Sequence, residues 1–377
     1  MKIGIDAYFA TSSLRGMGRV ILGYLEGLAD IDEENEYYVY APSDGEIDKI
    51  PNSGNFNIRS LNTSVYPLYE QISLPLAAYR DDLDILHCPA NTTPLLLFGD
   101  AKLVLTLHDV IFHKSYSEIP KSDELHQSLG RIYRRSITTL IQNKVDYCIT
   151  VSNNSRLDIE NELNLQAPIQ VIYPGIDDIF FSTPNIRAYN ELTSRHSFAQ
   201  PYIFHLGGSA PSKNTLSAIK AFERYTNDND DNKTSLLIRG VEKDADNRIV
   251  RYVENSDVKE RIRFLPFLTD EELHSIYAKA DVFMSTSLYE GYGLPLIEAL
   301  ASGTPVIGPN RGSVPEIVGD NGILVDPENE REIADALNEA LSVNNDVDYS
   351  IATSNHSQSW NTVAKELLSI YNRVVEK

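Results

Sequence analysis

Short apolar stretches recur along this chain with longer amphipathic stretches between them, and that alternation restricts its fold more than any other feature. In the first half KIGID, YYVYA, DILHC, KLVLTLHD, DYCITVS and IQVIY read as strands, while residues 18–29 and 124–143 carry helical spacing. Strand, helix and strand in that order form βαβ units, which build parallel sheets. The pattern breaks at YPGIDDIFFSTPN, where Pro174, Gly175 and Pro184 interrupt it. A second series follows: YIFHLGG, SLLIRG, IRFLPF, DVFMSTS, TPVIG and GILVD. Within it TDEELHSIYAKA opens on Thr269 with Glu272 three residues later, the spacing of a capping box, and so reads as a helix. The chain has 377 residues, more than twice the usual size of one domain. The expectation is two open α/β domains, residues 1–180 and 198–358.

Composition narrows the function classes. The formal charge is −21, with 14 basic against 25 acidic residues in 1–180 and 19 against 29 in 181–377, so neither half carries the basic footprint of a nucleic-acid binder. Cys88 and Cys148 lack CxxC spacing and sit in apolar, strand-like surroundings, which points to reduced core thiols. The N-terminal MKIGIDAYFA runs straight into a strand without the long apolar region of a signal peptide, and the expected location is the cytoplasm. Apolar runs such as PLLLF at 94–98 are too short to cross a bilayer, which leaves peripheral membrane contact open.

Ligands of open parallel sheets bind beyond the carboxyl ends of the strands, so two such domains facing each other would hold a ligand in the cleft between them. Several motifs fall at strand ends. After YIFHL, the loop Gly207 to Asn214 is led by Gly207 and Gly208, carries Lys213, and opens a helix; it reads equally as an anion site and as a plain strand-to-helix turn. His108 and Asp109 end KLVLTLHD. In YEGYGLPLIEALASGTPVI, Glu290 follows a strand, and Glu298 lies eight residues on, in an apolar run between Pro295 and Gly303 that reads as a short helix. A carboxylate among Leu296, Ile297, Ala299 and Leu300 requires donors aimed at it. Near the N-terminus Gly16 and Gly18 precede a helix starting about Arg19; the third glycine of the dinucleotide fingerprint is replaced by Ile21, and the pair reads as permitting close ligand approach. His87, Cys88 and His113 match no familiar metal cage, and Asp244 with Asp246 reads as solvated surface, so no metal is expected. No serine or cysteine stands in a nucleophile elbow, and no GxxxxGK pattern is present.

The segment RIRFLPFLTDEELHSIYAKADVFMSTSLYEGYGLPLIEALASGTPVIGPNRGSVPEIV closely resembles the donor-binding region of the retaining glycosyltransferases of family four, which have the GT-B architecture. Weaker likenesses run through GMGRV, LHCPANTTPL, LTLHDVIF, VSNNSRLDI, VIYPGID, GGSAPSKN and SWNTVAKELLSIY. The resemblance implies two Rossmann-like domains, with the last helix, about 359–377, returning to the N-terminal one. It implies that Glu298 accepts hydrogen bonds from the ribose hydroxyls of a sugar nucleotide and that Glu290 faces the hydroxyls of the transferred sugar. The amides of Tyr292, Gly293 and Leu294 would lie close to sugar or diphosphate, and Lys213 would neutralise the diphosphate. His108 would meet the donor sugar, and Gly18 would admit the diphosphate. Where many relatives have an arginine next to or shortly before the lysine, this chain has Ser212, Gly207 and Gly208, and Arg19 and Arg239 are the candidates to compensate. Base recognition is expected around Pro266 and Phe267. No cofactor is implied.

Acceptor recognition belongs to the first domain. There Arg131, Arg134 and Arg135 share one helical face; they read as a solvated face or as a contact for an anionic lipid surface or lipid-linked acceptor. The leading expectation is transfer of a hexose from a UDP-sugar, UDP-glucose foremost, to a glycan or lipid-linked acceptor of a bacterial envelope. The alternatives are a GDP-mannose-dependent mannosyltransferase, an epimerase or hydrolase of the same fold, and an inactive sugar-nucleotide-binding regulator.

Overall fold

The computed structural model describes residues 1–12, 16–122, 124–242, 248–342 and 357–376. The chain divides into two compact units. The first comprises Met1–His113, Glu124–Gly175 and Gln358–Lys377, and the second Lys114–Asp123 and Ile176–Ser357. Asp244 and Asp246 lie outside the described residues.

In the first unit seven strands form one all-parallel sheet: β1 (Lys2–Asp6), β2 (Glu36–Pro42), β3 (Phe56–Leu61), β4 (Ile85–Cys88), β5 (Lys102–Leu107), β6 (Tyr147–Thr150) and β7 (Ile169–Val171). Their order is β3-β2-β1-β4-β5-β6-β7, so the chain winds one way from β1 and the other way from β4. Central strands β1, β4, β5 and β6 are buried almost throughout, because helices cover both faces of a parallel sheet. Edge strand β3 was absent from the expected set. Its sequence FNIRSL is largely exposed and shows no apolar run, and pairing with β2 from Tyr37↔Phe56 to Pro42↔Leu61 is what makes it a strand.

The final helix, Trp360–Val375, packs in this unit against the helix Gly16–Ile31. Gly23 and Gly27 make that approach feasible: a Cβ at Gly23 would lie 2.2 Å from the Trp360 ring, and one at Gly27 would lie 2.3 Å from the Trp360 carbonyl oxygen. Tyr371, fully buried on the same helix, meets His87 Nδ1 at 2.8 Å.

The second unit repeats the winding with six parallel strands: β8 (Tyr202–Leu206), β9 (Ser235–Arg239), β10 (Ile262–Leu265), β11 (Val282–Met284), β12 (Val306–Pro309) and β13 (Ile323–Val325). Their order is β10-β9-β8-β11-β12-β13. The capping box is present: Thr269 Oγ1 accepts from the Glu272 amide, and the Glu272 carboxylate accepts from the Thr269 amide, starting the helix Asp270–Lys279. A core of Ile219, Phe222, Leu236, Ile238, Met284 and Leu337, with their neighbours, fills one side of this sheet.

Candidate active site

The strand order reverses between β8 and β11 in the second unit, which is where an open parallel sheet leaves a crevice beyond its carboxyl ends. The loops that leave those two strands carry the Gly207–Asn214 and Glu290 motifs. They are joined directly. Lys213 Nζ donates to Glu290 Oε1 at 2.7 Å, with both side chains partly accessible. The Leu288 amide donates to Ser212 O at 2.8 Å, and Thr286 Oγ1 donates to Asn214 O at 3.0 Å. Behind them Ser313 Oγ donates to Glu290 O (3.0 Å) and Tyr292 O (2.7 Å). Glu290 is therefore held at both backbone and carboxylate.

In the glycine-led loop several amides are already used within the protein. Gly207 N–H bonds to Arg239 O (2.8 Å), Gly208 N–H to Thr215 Oγ1 (3.0 Å), and the Lys213 and Asn214 amides to the Ala210 and Pro211 carbonyls. Gly207 is glycine for the protein's own packing, since a Cβ there would stand 2.5 Å from Thr215 Oγ1. The charge available to an anion from this loop is the Lys213 ammonium. A short 3₁₀ turn, Pro211–Lys213, precedes the helix Thr215–Asp228.

Glu298 lies in the helix Leu294–Ala301, only 4% exposed. Pro295 occupies its first turn, and Gly293, at φ +103°, forms the N-cap in a conformation that favours glycine. Tyr292 is buried beside it. The sequence required a donor for the Glu298 carboxylate, and the structure supplies one from another helix: the fully buried Tyr277 hydroxyl donates to Oε2 at 3.2 Å. Tyr277 packs edge-on against Phe204 and Phe283, which fixes its ring. Arg239 ends β9 and stacks its guanidinium 4.7 Å from the exposed ring of Phe267, beyond Pro266. Two residues proposed for different roles, phosphate and base, thus form one pair. Lys114 places its ammonium 5.8 Å from the ring of Tyr289, next to Glu290, a contact no local motif announced.

In the first unit the winding reverses between β1 and β4. His108 follows β5 and is 6% exposed. Its amide donates to Asn91 Oδ1 at 2.6 Å, and its Nε2 lies 2.8 Å from Pro89 O. A carbonyl only accepts, so Nε2 carries the hydrogen and Nδ1 keeps a lone pair. Burial pulls its pKa down to about 4, and the ring is neutral at pH 7. Gly16 and Gly18 do not precede a helix starting at Arg19; all three lie in the first turn of Gly16–Ile31. A short helix, Tyr8–Ser12, stands in the gap after Asp6.

Sequence reasoning missed a polar cluster at the carboxyl end of β1. Asp6, 1% exposed, accepts from the Tyr8 amide (3.0 Å) and the Tyr69 hydroxyl (3.1 Å) through Oδ1, while Oδ2 has no partner among the described residues. Burial, with the nearby Glu70 charge, raises its pKa to about 7. Glu70 is itself buried, and Tyr66, Tyr133, Thr92 and Gln71 all donate to it. Asp6 ending a strand and Glu70 in a mixed segment look ordinary in sequence, and only the fold brings them together.

Two doubly wound parallel sheets define the GT-B class, and solved structures of that class superpose on the whole chain. Sucrose-phosphate synthase from Thermosynechococcus elongatus is 17% identical with a TM-score of 0.75, covering 100% of this chain and 99% of that one. Anabaena Alr3699/HepE in complex with UDP and glucose is 18% identical with a TM-score of 0.72, covering 99% of each. The model for glycosyltransferase family 4 matches residues 14–179, and that for glycosyl transferases group 1 matches residues 194–355. The chain belongs to this glycosyltransferase family. O-antigen chain mannosyltransferase B of Escherichia coli is 30% identical over 258 residues, which span 66% of this chain and 63% of that protein.

Proposed function

We propose that this chain is a metal-independent hexosyltransferase that moves a sugar from a nucleoside diphosphate to a glycan or lipid-linked acceptor with retention of anomeric configuration. The observation that supports it most is the 2.7 Å Lys213–Glu290 pair where the β8 and β11 loops meet. Departure of a nucleoside diphosphate develops negative charge, and a positioned ammonium stabilises that charge without reorganisation. In this reading Lys213 takes the diphosphate, Glu290 the sugar hydroxyls, and Glu298 the ribose hydroxyls beside its bond to Tyr277. Glu290 and Glu298 serve as hydroxyl ligands rather than as a glycosidase pair, and the leaving phosphate helps to take the acceptor proton. Nδ1 of His108, with Nε2 held by Pro89, is the ring nitrogen for a hydroxyl donor.

The donor of first choice is a UDP-hexose, UDP-glucose foremost, since the Anabaena structure of the same fold holds UDP and glucose. GDP-mannose is the second reading, favoured by the E. coli mannosyltransferase relative. A thermal-shift panel of UDP, GDP, ADP and their sugar conjugates tests both. A ligand present at a hundredfold its Kd stabilises the folded state by about 2.7 kcal/mol. The expected outcome is a rise in Tm with one nucleotide class, abolished in Glu298→Ala and reduced in Lys213→Ala. No response to any nucleotide would remove the reading. Donor consumed at the same rate with and without acceptor would instead favour the hydrolase or epimerase alternative.

A further inference from the structure

A carboxyl oxygen that is buried without a hydrogen bond costs stability, and its presence in a folded protein calls for a reason. Glu70 raises no such question, because each of its oxygens has two donors. The Tyr66 hydroxyl (2.7 Å) and Thr92 Oγ1 serve Oε1, and Gln71 Nε2 (2.7 Å) and the Tyr133 hydroxyl serve Oε2. Asp6 is different. Its Oδ1 takes the Tyr8 amide and shares the one Tyr69 hydroxyl proton with Tyr40 O, which lies closer to that hydroxyl at 2.8 Å. Its Oδ2 has no partner among the described residues, although Asp6 is all but sealed from water. Among those residues no lysine or arginine bonds or pairs with either carboxyl.

Asp6 ends β1 and Thr92 lies just beyond β4, so the two carboxyls sit at the carboxyl side of the point where the winding of the first unit reverses. Aromatic rings surround them. Between ring centroids, Tyr8 meets Tyr66 at 4.8 Å and Tyr69 at 4.9 Å, Phe9 meets Tyr66 at 4.8 Å, and Tyr66 meets Tyr133 at 6.1 Å. Tyr69 is fully buried, whereas Tyr8, Phe9, Tyr66 and Tyr133 are partly accessible. Rings with a few fixed polar groups, at a switch point, form the lining of a small-ligand site. Carboxylate and phenol oxygens match the hydroxyls of a sugar, and the rings offer flat apolar faces to its C–H surface. A phosphate would instead meet two carboxyls with no counter-charge.

We propose that Asp6 and Glu70 make this crevice a subsite for an uncharged hexopyranose of the acceptor, in which a sugar hydroxyl donates to Asp6 Oδ2, and make it reject a phosphorylated sugar. Its role as an acceptor subsite rests on the transferase reading above. Because Oδ2 is closed off in this structure, binding parts the rings over it, and the five-residue helix Tyr8–Ser12 that carries Tyr8 and Phe9 is the segment that shifts. Burial has already raised the Asp6 pKa to about 7, and an arriving hydroxyl offsets that desolvation.

The test is a saturation-transfer NMR titration of the full chain with the methyl α-glycosides of mannose, glucose and galactose, each compared with its 6-phosphate. At least one neutral glycoside is expected to bind roughly tenfold or more tightly than its 6-phosphate. Asp6→Asn keeps an oxygen for the Tyr8 amide, and both it and Phe9→Ala should weaken the neutral glycoside by roughly tenfold. Glu290→Gln, in the second unit, should leave that affinity unchanged. If Asp6→Asn folds poorly, Phe9→Ala carries the comparison. Binding of none of the neutral glycosides, equal affinity for the 6-phosphates, or full affinity in Asp6→Asn, the result if a buried water alone serves Oδ2, would overturn the proposal. So would binding that Glu290→Gln abolishes and Asp6→Asn spares. The nucleotide-induced rise in Tm is read on the same proteins and should persist in Asp6→Asn. Its absence from the parent chain would remove the transferase reading, whereas its presence without glycoside binding would remove the acceptor subsite alone.

Discussion

Buried ionisable residues carry much of what can be tested at the scale of single side chains. Asp6 has its pKa raised from 3.8 to about 7, mainly by burial. Between those values the folded chain keeps a proton that the unfolded chain has released, so this residue destabilises the fold progressively as pH rises through that window. Asp6→Asn removes the titration and leaves an acceptor for the Tyr8 amide and the Tyr69 hydroxyl. Its Tm relative to the parent chain should improve between pH 5 and pH 8, and a gap that does not change with pH would contradict this account. His87, His108 and His205 act in the opposite direction, since burial lowers them to about 3, 4 and 4 from 6.5, and their contribution is lost as pH falls below 6.5. At this scale the sequence posed the right question about Glu298 and stopped there. An apolar run in the one-dimensional pattern shows that a carboxylate needs a donor; it does not show that Tyr277, 21 residues earlier, turns its hydroxyl toward it.

Among the elements, helices and central strands were legible because their signals are local. Thr269 and Glu272 announced a helix start by spacing alone, and the geometry of the cap has both hydrogen bonds. The contact between Gly16–Ile31 and Trp360–Val375 was not readable from spacing: periodicity marked the first of these helices, and the family resemblance alone implied the last and its return. Gly23 and Gly27 look like weak helix formers until Trp360 is seen lying over them. Gly27→Ala improves local helix propensity, yet its methyl group would meet the Trp360 backbone at 2.3 Å, where no side chain can yield. The expected result is a loss of about 1–3 kcal/mol in urea denaturation rather than a gain. An exposed control such as Ser136→Ala in another helix of the same unit should stay within about 0.5 kcal/mol.

At the scale of the whole molecule, the unit built mostly from the N-terminal half depends on the last residues of the chain. Val363, Ala364, Leu367, Ile370 and Tyr371 are fully buried in it. Leu367→Ala should cost about 2–5 kcal/mol. Because the cost falls in the first unit, nucleotide-dependent stabilisation of the second should persist in this variant, as read by the ligand-induced shift of its thermal transition. Loss of that shift would contradict this separation and show that nucleotide binding depends on the packing of the first unit. Periodicity of apolar residues determined that this chain makes two series of parallel strands with helices between them, because burial of one face is written at intervals of two or about three and a half residues. Tertiary structure alone decided that FNIRSL is an edge strand, that Lys114–Asp123 joins the second unit, that Lys213 pairs with Glu290 across 77 residues, and that Asp6 and Glu70 share one buried cluster. Those contacts bring together groups far apart in the chain, whose individual surroundings carry no periodic signal, and only the packed fold sets their distances.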